Sequence, residues 1–309
     1  MINSCRHRII INPSSARGDC GRSIPLIHQR LTDAGIQFDL VETSQARQAV
    51  ELSAEAARAG YDVVVAVGGD GILNEVLNGL MLARAEGFTQ AAIGMLPVGQ
   101  GNDFAFGMAI PMDLTKACAI LANGHRRTID IGKVTGGDYP NGCWFGNGIG
   151  IGFDAMVVFE SAKMKRLKGF AAYALAALKT IFLYYKAPLV RLEFAGYSTE
   201  LRPLMISVMN GQRMGGGFLM APAGNMTDGL FDLCIARQIS QLHILATIPL
   251  FFSGSQFSKS FISGGRTAGL RVTALEGTLP VQADGECICL AGRQIDIELV
   301  PQAIELLCT

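Results

Sequence analysis

The stretch Val63-Val64-Val65-Ala66-Val67-Gly68-Gly69-Asp70-Gly71-Ile72-Leu73-Asn74-Glu75-Val76 joins a β-branched run to a glycine turn and then to a helical pattern. Valines around a single alanine predict a strand buried on both faces of a parallel sheet. The glycines let the backbone approach a bulky anion and adopt angles that a Cβ forbids. The helix start that follows offers unpaired N–H groups and a partial positive charge. Asp70 would repel a phosphate directly, so it suits such a loop only with Mg²⁺ or a substrate hydroxyl in between. Taken alone, a tight strand-to-helix turn capped by Asp70 explains these residues about as well.

Outward from this stretch, strand and helix signals alternate. Arg8–Ile11 is a short apolar run ending at Asn12-Pro13-Ser14-Ser15, and a helical pattern follows through Ile24, Leu26, Ile27 and Leu31. Phe38–Val41 reads as a strand, Gln45–Arg58 as a helix, Asp62–Val67 as the strand above, Leu73–Ala85 as a helix, Ala91–Leu96 as a strand and Leu114–Ala122 as a helix. Short links between such elements predict a three-layer α/β sheet. A second loop, Pro97-Val98-Gly99-Gln100-Gly101-Asn102-Asp103-Phe104, repeats the construction of the first. Loops after parallel strands share one sheet edge, so these two and the Asn12–Ala16 turn are expected to converge.

The texture changes after Asp130. Cys143–Phe145, Val190–Phe194, Pro203–Met209, Phe231–Ala236, Gly269–Thr273 and Gln294–Leu299 are short alternating segments between Gly, Pro or Asp, which predicts an antiparallel sandwich. Two helical insertions are expected, at about Ala162–Tyr185 and Ser240–Phe252. The boundary falls near Asp130–Lys133, which gives domains 1–131 and 132–299, with 300–309 returning to complete the first.

Bulk properties agree. The 309 residues are half hydrophobic, with 37 glycines, and Lys plus Arg balance Asp plus Glu at 26 each. No net field draws the chain to nucleic acid. No apolar run reaches the roughly 20 residues of a membrane span, and the N-terminus has no signal-peptide pattern, so a cytoplasmic location is expected. Eight scattered cysteines read as reduced, mostly buried thiols. Cys287 and Cys289, two apart on a strand, are expected to share one core-packed face. The four histidines and Trp144 read as structural.

The motifs resemble those of the diacylglycerol kinase catalytic family, whose relatives include sphingosine, ceramide and bacterial lipid kinases and, more distantly, NAD kinases. The resemblance rests on Gly68–Val76, Asn12–Ser15, Pro97-Val-Gly-Gln-Gly-Asn-Asp-Phe-Ala105, Asp228-Gly-Leu-Phe-Asp232, Asp284-Gly-Glu286 and Lys168-Gly-Phe-Ala-Ala-Tyr173. It spans nearly the whole chain. It implies a nucleotide-binding α/β domain followed by a β-sandwich, with the active site in the cleft between them. It implies an ATP- and Mg²⁺-dependent kinase acting on a membrane lipid, with transient membrane contact during turnover; a homodimer is compatible with the sequence.

Residue by residue, the resemblance puts the nucleotide against Asn12, Pro13, Ser14, Ser15, Ala16, Thr43, Gly68, Gly69, Asp70, Gly71, Ile72, Leu73, Asn74, Gln100 and Asn102. Asp70 and Asp103 organise the phosphates, the magnesium and the acceptor, and Glu286 is the base. Asn225, Asp228 and Leu230, the last through its carbonyl, correspond to a structural Mg²⁺ site. By spacing alone, Asp228-Gly and Asp284-Gly read first as turns. The resemblance reverses that for Asp228 and Glu286 and leaves Asp284 open.

Two positions depart from the family pattern. Ile72 and Gln100 stand where the family usually has threonine, which removes one hydroxyl near the phosphates and replaces another with an amide. Two alternatives to a lipid kinase therefore stay open: an NAD kinase-like enzyme for a soluble substrate, and a catalytically weakened lipid- or nucleotide-binding protein. The basic run Lys163-Met-Lys-Arg-Leu-Lys168 before an apolar helix suits an anionic membrane surface, although core packing of that helix is the commoner outcome.

Overall fold

A computed structural model describes residues 5–163, 170–183 and 187–309. Two compact units emerge, one comprising Met1–Ile129 and Gln302–Thr309, the other Asp130–Pro301.

In the first unit, β1 (Arg6–Ile11), β2 (Gln37–Glu42), β3 (Val63–Gly68) and β4 (Ala92–Pro97) pair in parallel in the order β2-β1-β3-β4. β3 and β4 are buried at every residue, whereas the edge strand β2 is buried at none. Central position thus explains the pure β-branched run of β3. The chain's last residues rejoin this unit, where Leu306 pairs in parallel with Ile93.

The helices are α1 (Asp19–Arg22), α2 (Ile24–Asp33), α3 (Gln48–Arg58), α4 (Asp70–Ala85), α5 (Asp103–Gly107) and α6 (Leu114–Asn123). Ile27 and Leu31 of α2 and Ala117, Cys118 and Leu121 of α6 pack on Ile9, Ile11, Val63, Val65 and Val67. Alternate residues Ile10, Val64 and Ala66 face the other side, where α3 and α4 lie against β1 and β3. This makes three layers. Helices α3 and α4 approach closely because they meet through small residues: a Cβ at Gly79 would fall 2.0 Å from the Val50 carbonyl oxygen.

The chain enters the second unit within β5 (Arg126–Gly136), followed by β6 (Tyr139–Phe145), β7 (Gly148–Gly152), β8 (Leu189–Phe194), β9 (Tyr197–Leu201) and β10 (Pro203–Met209). It continues with β11 (Phe231–Arg237), β12 (Ile262–Thr267), β13 (Gly269–Glu276), β14 (Leu279–Ala283), β15 (Glu286–Gly292) and β16 (Gln294–Leu307). One wholly antiparallel sheet runs β12-β11-β10-β7-β14-β15. Facing it, β16, β13, β8 and β9 pair in that order, and β5 joins β16 to β6. Their inner faces share one core. At its centre the rings of Phe145 and Phe231 stack with centroids 5.6 Å apart, and both are fully buried. A Cβ at Gly132 would lie 1.9 Å from the Phe145 ring, so the glycine makes room for it.

Strand β7 reads Gly148-Ile149-Gly150-Ile151-Gly152. Its isoleucines enter the sandwich core, and its glycines leave space on the opposite face.

Helices α7 (Phe153–Ala162), α8 (Phe170–Leu183) and α9 (Gln241–Ser253) cover that opposite face. The expectation of two helical insertions is thereby corrected to three helices, because a helix starts directly at Phe153 as β7 ends. Of the basic run, Lys163 pairs with the buried Glu160 at 2.6 Å, as does Lys179 at 2.7 Å. Residues 164–168 of that run, Gly169 and Tyr185 lie outside the described residues. Among the described residues, no helix is long and apolar enough to cross a membrane.

All eight cysteines are free thiols. The shared face expected for Cys287 and Cys289 is corrected. Cys287 pairs with Gln282 and Cys289 with Val281, so Ile288 is an extra, bulged residue. The bulge exposes Cys287 while Cys289 stays buried.

Phe231→Ala should empty the centre of the sandwich and cost about 3–5 kcal/mol. Urea unfolding followed by circular dichroism measures it, and a loss under about 1 kcal/mol would show that the core re-closes.

Candidate active site

With strand order β2-β1-β3-β4, the chain reverses direction of travel between β1 and β3, and the loops leaving both strands meet at that sheet edge. The first loop, after β1, is held by Asn12 N–H on the Val67 carbonyl (3.2 Å) and by an Asx turn from Ser14 N–H to Asn12 Oδ1 (3.0 Å). Its backbone is left-handed at Ala16 (φ 51°), Arg17 (φ 64°) and Gly18 (φ 89°), conformations that non-glycine residues rarely adopt. Thr43 lies beside it, its N–H on the Ile11 carbonyl at 2.8 Å.

The second loop, after β3, touches the first at Gly68, where a Cβ would sit 2.7 Å from Ser15 Oγ. The third, after β4, touches the second more closely. A Cβ at Gly99 would fall 2.4 Å from the Gly69 Cα and 2.5 Å from Asn102 Oδ1. Backbone packs on backbone there, and only glycine fits. Asn102, left-handed at φ 52°, ties its own loop by donating from Nδ2 to the Gly99 carbonyl at 2.9 Å. Asp70 joins the loops by charge: its Oδ1 accepts the Phe104 N–H at the start of α5 at 3.0 Å. Asp103 stands one residue earlier and is buried.

The structure thus brings Asn12–Ala16, Gly68–Ile72 and Gln100–Asp103 to one sheet edge, with Thr43 alongside. Leu73 and Asn74 turn inward. The Leu73 side chain is buried and its N–H reaches the Gly69 carbonyl at 3.4 Å, while Asn74 Oδ1 accepts from Asn78 Nδ2 at 3.1 Å. Sequence reading missed Glu75, whose carboxylate accepts Arg47 N–H (3.0 Å) and Ala49 N–H (3.1 Å) and so fixes the start of α3. No local spacing links positions 75 and 47.

In the second unit, Asp284 (φ 49°) and Gly285 (φ 88°) form a two-residue turn between β14 and β15, with Ala283 opposite Glu286. The turn has a second use. The Asp284 carboxylate accepts three backbone N–H groups, from Gly146 (2.7 Å), Asn147 (3.0 Å) and Gly148 (3.0 Å). Asp284, left open by the sequence, is therefore a structural clamp. Glu286 stands exposed at the start of β15.

Asn225, Asp228 and Leu230 share a loop stabilised by an Asx turn at each acidic or amide side chain: Asn225 Oδ1 accepts Thr227 N–H (3.1 Å) and Asp228 Oδ1 accepts Leu230 N–H (3.2 Å). Arg266 pairs with Asp228 and lies 3.6 Å from Asp232 Oδ1. Asp130, also missed by the sequence reading, anchors this loop. Its N–H donates to the Met226 carbonyl, and its Oδ2 accepts Gly229 N–H, both at 2.7 Å.

The second unit also contains an apolar cavity between the helices and the open face of the antiparallel sheet, lined among others by Leu204, Met205, Met214, Ile244, Ile248 and Phe251.

Comparison with known proteins fits this geometry. The family described as diacylglycerol kinase catalytic domain matches residues 6–134, and the YegS C-terminal NAD kinase beta sandwich-like domain matches residues 147–308. A diacylglycerol kinase of Bacillus subtilis is 30% identical over 285 residues, covering 91% of this chain and 89% of that one. The Pseudomonas aeruginosa protein named "Probable lipid kinase YegS-like" is 34% identical over 266 residues, covering 86% and 82%. This chain belongs to the diacylglycerol kinase catalytic-domain family. It is a diacylglycerol kinase-like lipid kinase, a phosphotransferase, and the family implies ATP as phosphate donor. A Bacillus anthracis crystal structure of the diacylglycerol kinase type has the same fold, with a TM-score of 0.77 at 20% identity, covering 100% of this chain and 99% of that one.

Against the family pattern, Ile72 gains a structural explanation. It is buried, and its Cγ2 lies 2.9 Å from where a Gly68 Cβ would be, so the methyl packs under the glycine loop. Gln100 is exposed beside Gly99 and Gly101.

Gly99→Ala should push the third loop off Gly69, with about 1–3 kcal/mol of strain. ATP titration by calorimetry is expected to show at least tenfold weaker binding, since 1.4 kcal/mol is already a factor of ten. Unchanged affinity would mean that the two loops do not act together.

Proposed function

We propose that the chain transfers the γ-phosphate of ATP to the free hydroxyl of a membrane lipid, diacylglycerol or a similar glycerolipid or sphingoid lipid. The observation that carries this reading is the apolar cavity of the second unit, a place for a hydrocarbon chain that a soluble acceptor such as NAD does not need. The three converging loops support a nucleotide held by Asn12–Ala16, Thr43, Gly68–Ile72, Gln100 and Asn102. Asp70 and Asp103 are the groups to organise phosphate, magnesium and acceptor. Phosphoryl transfer needs positioning and charge neutralisation more than a reactive nucleophile, and that is what carboxylates and backbone N–H groups beside glycines supply. In this reading Glu286 accepts the proton of the lipid hydroxyl, its exposure leaving it open to substrate.

Magnesium fits the donors present. Asn225, Asp228 and the Leu230 carbonyl offer oxygens suited to a hard cation. Nearby, Asp232 Oδ2 is buried with no hydrogen-bond partner among the described residues, and burial pushes the Asp232 carboxyl up despite the opposing pull of Arg266. Bound there, magnesium would neutralise carboxylates; Arg266 does part of that work without it.

Membrane contact during turnover is supported by α8. Leu175, Leu178 and Phe182 are 43%, 43% and 50% exposed on one helix face, while Ala177 of the same helix lines the cavity. A weakened, binding-only protein is the second reading, favoured by Ile72, which offers no hydroxyl where the family usually has one.

Transfer of labelled phosphate from ATP to a panel of lipids in mixed micelles tests the proposal, with Glu286→Ala as partner. The expected result is a labelled lipid and a loss of roughly 10²–10⁴-fold in Glu286→Ala with ATP binding retained. Labelling of NAD and of no lipid would overturn the lipid assignment, and ATP binding without transfer would select the second reading.

The metal assignment has a separate check. Asp228→Ala should lower the melting temperature more in magnesium than in chelator, because only part of the loss comes from the Arg266 pair. Equal losses in both conditions would remove magnesium from this loop.

A further inference from the structure

The register of two strands brings a cation to the loop of Asp228. In the antiparallel pair of β11 and β12, Arg266 stands directly opposite Asp232. Side chains at such opposed positions meet on one face of the sheet. From there the guanidinium spans two carboxylates: Nη2 pairs with Asp228 Oδ2, and Nε lies 3.6 Å from Asp232 Oδ1. Of the three side chains the arginine is the outermost, 47% exposed against 28% for Asp228 and 16% for Asp232. An ion arriving from water therefore meets the guanidinium before it meets the acids.

The oxygens of the loop are already in use. Asn225 Oδ1 accepts the N–H and the Oγ1 hydroxyl of Thr227, at 3.1 and 2.8 Å. Asp228 Oδ1 accepts the Leu230 N–H at 3.2 Å, and Oδ2 accepts from Arg266. The first two oxygens shape the loop, and Asp228 Oδ2 is where it meets a cation. The fold of the loop does not hang on that cation. Asp130 holds it from within through the Met226 carbonyl and the Gly229 N–H, both at 2.7 Å. One cation can thus replace another without the loop unravelling.

We propose that Arg266 is the resident cation of this loop, and that magnesium binds there only by displacing it from Asp228. Magnesium demands close, near-octahedral oxygen contact and keeps several of its waters. A guanidinium on Asp228 Oδ2 fills one of those positions and repels the ion. Charge gives the same answer. Asp228 and Asp232 are neutralised by one magnesium ion alone, whereas magnesium and Arg266 together overcompensate them. When magnesium enters, the half-exposed guanidinium turns towards water and the carboxylates are never left bare. Arg266 therefore sets how much magnesium the loop requires. The inference rests on the magnesium reading of Asn225, Asp228 and Leu230 above, and adds a competitor to it.

Calorimetric titration of magnesium chloride into the intact protein and into Arg266→Gln, without nucleotide, tests this. Glutamine keeps a donor and removes the charge. Asp228→Ala, titrated in parallel, identifies the heat that belongs to this loop. Magnesium is expected to bind Arg266→Gln about threefold to tenfold more tightly, the range open to a partly exposed ion pair spanning two carboxylates. In chelator Arg266→Gln should melt below the intact protein. At one fixed magnesium concentration it should gain more in melting temperature, because stabilisation by a ligand grows with its affinity. Arg266→Lys, which keeps the charge without the fork, should fall between the two in affinity and serves if Arg266→Gln does not fold.

Affinities equal within about twofold overturn the inference. Weaker binding by Arg266→Gln overturns it as well, and would make Arg266 a support for the ion. If neither protein gives heat that Asp228→Ala removes, the magnesium reading itself falls and the competition with it. That result is distinct from equal binding, in which magnesium stays in the loop and only the competitor is lost.

Discussion

At the loop edge of the first unit, the tightest constraint is the approach of two peptide backbones at Gly69 and Gly99. Parallel pairing of β3 and β4 aligns Gly68 with Pro97, so the two loops leave the sheet side by side and must turn in the same small space. With no side chain between them, Val98 N–H reaches the Gly68 carbonyl at 2.8 Å and Asp70 reaches Phe104 N–H. The carboxylate is thereby held between two loops, at the sheet edge that the proposed function gives to the nucleotide phosphates. Any side chain at Gly99 separates the loops and moves Asp70 off its partner. The loops of this edge are one object held together at a glycine contact.

The second unit relies on buried and half-buried polar groups that tie distant segments together. Asp284 gathers three consecutive N–H groups of the 146–148 turn, and Asn210 Nδ2 bridges the Asp130 and Gly146 carbonyls at 2.8 and 2.7 Å. Asp130 in turn holds the loop of Asp228. Hydrogen bonds to a charged group contribute roughly 1.5–3 kcal/mol each, so these few residues matter more to loop geometry than the many exposed ion pairs. Their common effect is to fix the turn beside Glu286 and the loop of Asp228 to the body of the unit.

Legibility in the sequence followed the strength of local chemistry. Val63–Val67 declared a central strand because β-branched residues on both faces have few other uses, and the Gly68–Gly71 and Pro97–Asp103 loops declared a shared edge because each follows such a strand. Strand β7 was silent. Three glycines in five residues argue against a strand, and here they serve as absence of volume, leaving room for Met209, Asp154 and Gln282. The helix starting at Phe153 was hidden for the same reason. At Cys287 and Cys289 an alternating pattern was misread because a bulge at Ile288 resets the alternation. Asp130, Glu75 and Gln282 act on residues far away in sequence, and no spacing rule reports a partner that distant.

Ile72 shows how one substitution sits between packing and chemistry. Its side chain is 3% exposed beneath the glycine loop, at the start of α4, where a threonine would trade a buried ethyl group for a hydroxyl. At about 0.8 kcal/mol for each buried carbon, the ethyl group contributes about 1.6 kcal/mol of burial. A hydroxyl bonded to phosphate contributes about 1.5–3 kcal/mol, but only once nucleotide is bound. Isoleucine thus stabilises the empty loop at some expense in affinity. That exchange suits a loop already ordered by Gly99, Asn102 and Asp70, whose backbone N–H groups stay available to the ligand. In the function proposed, affinity for nucleotide is then set by the placement of the loops more than by any single side chain.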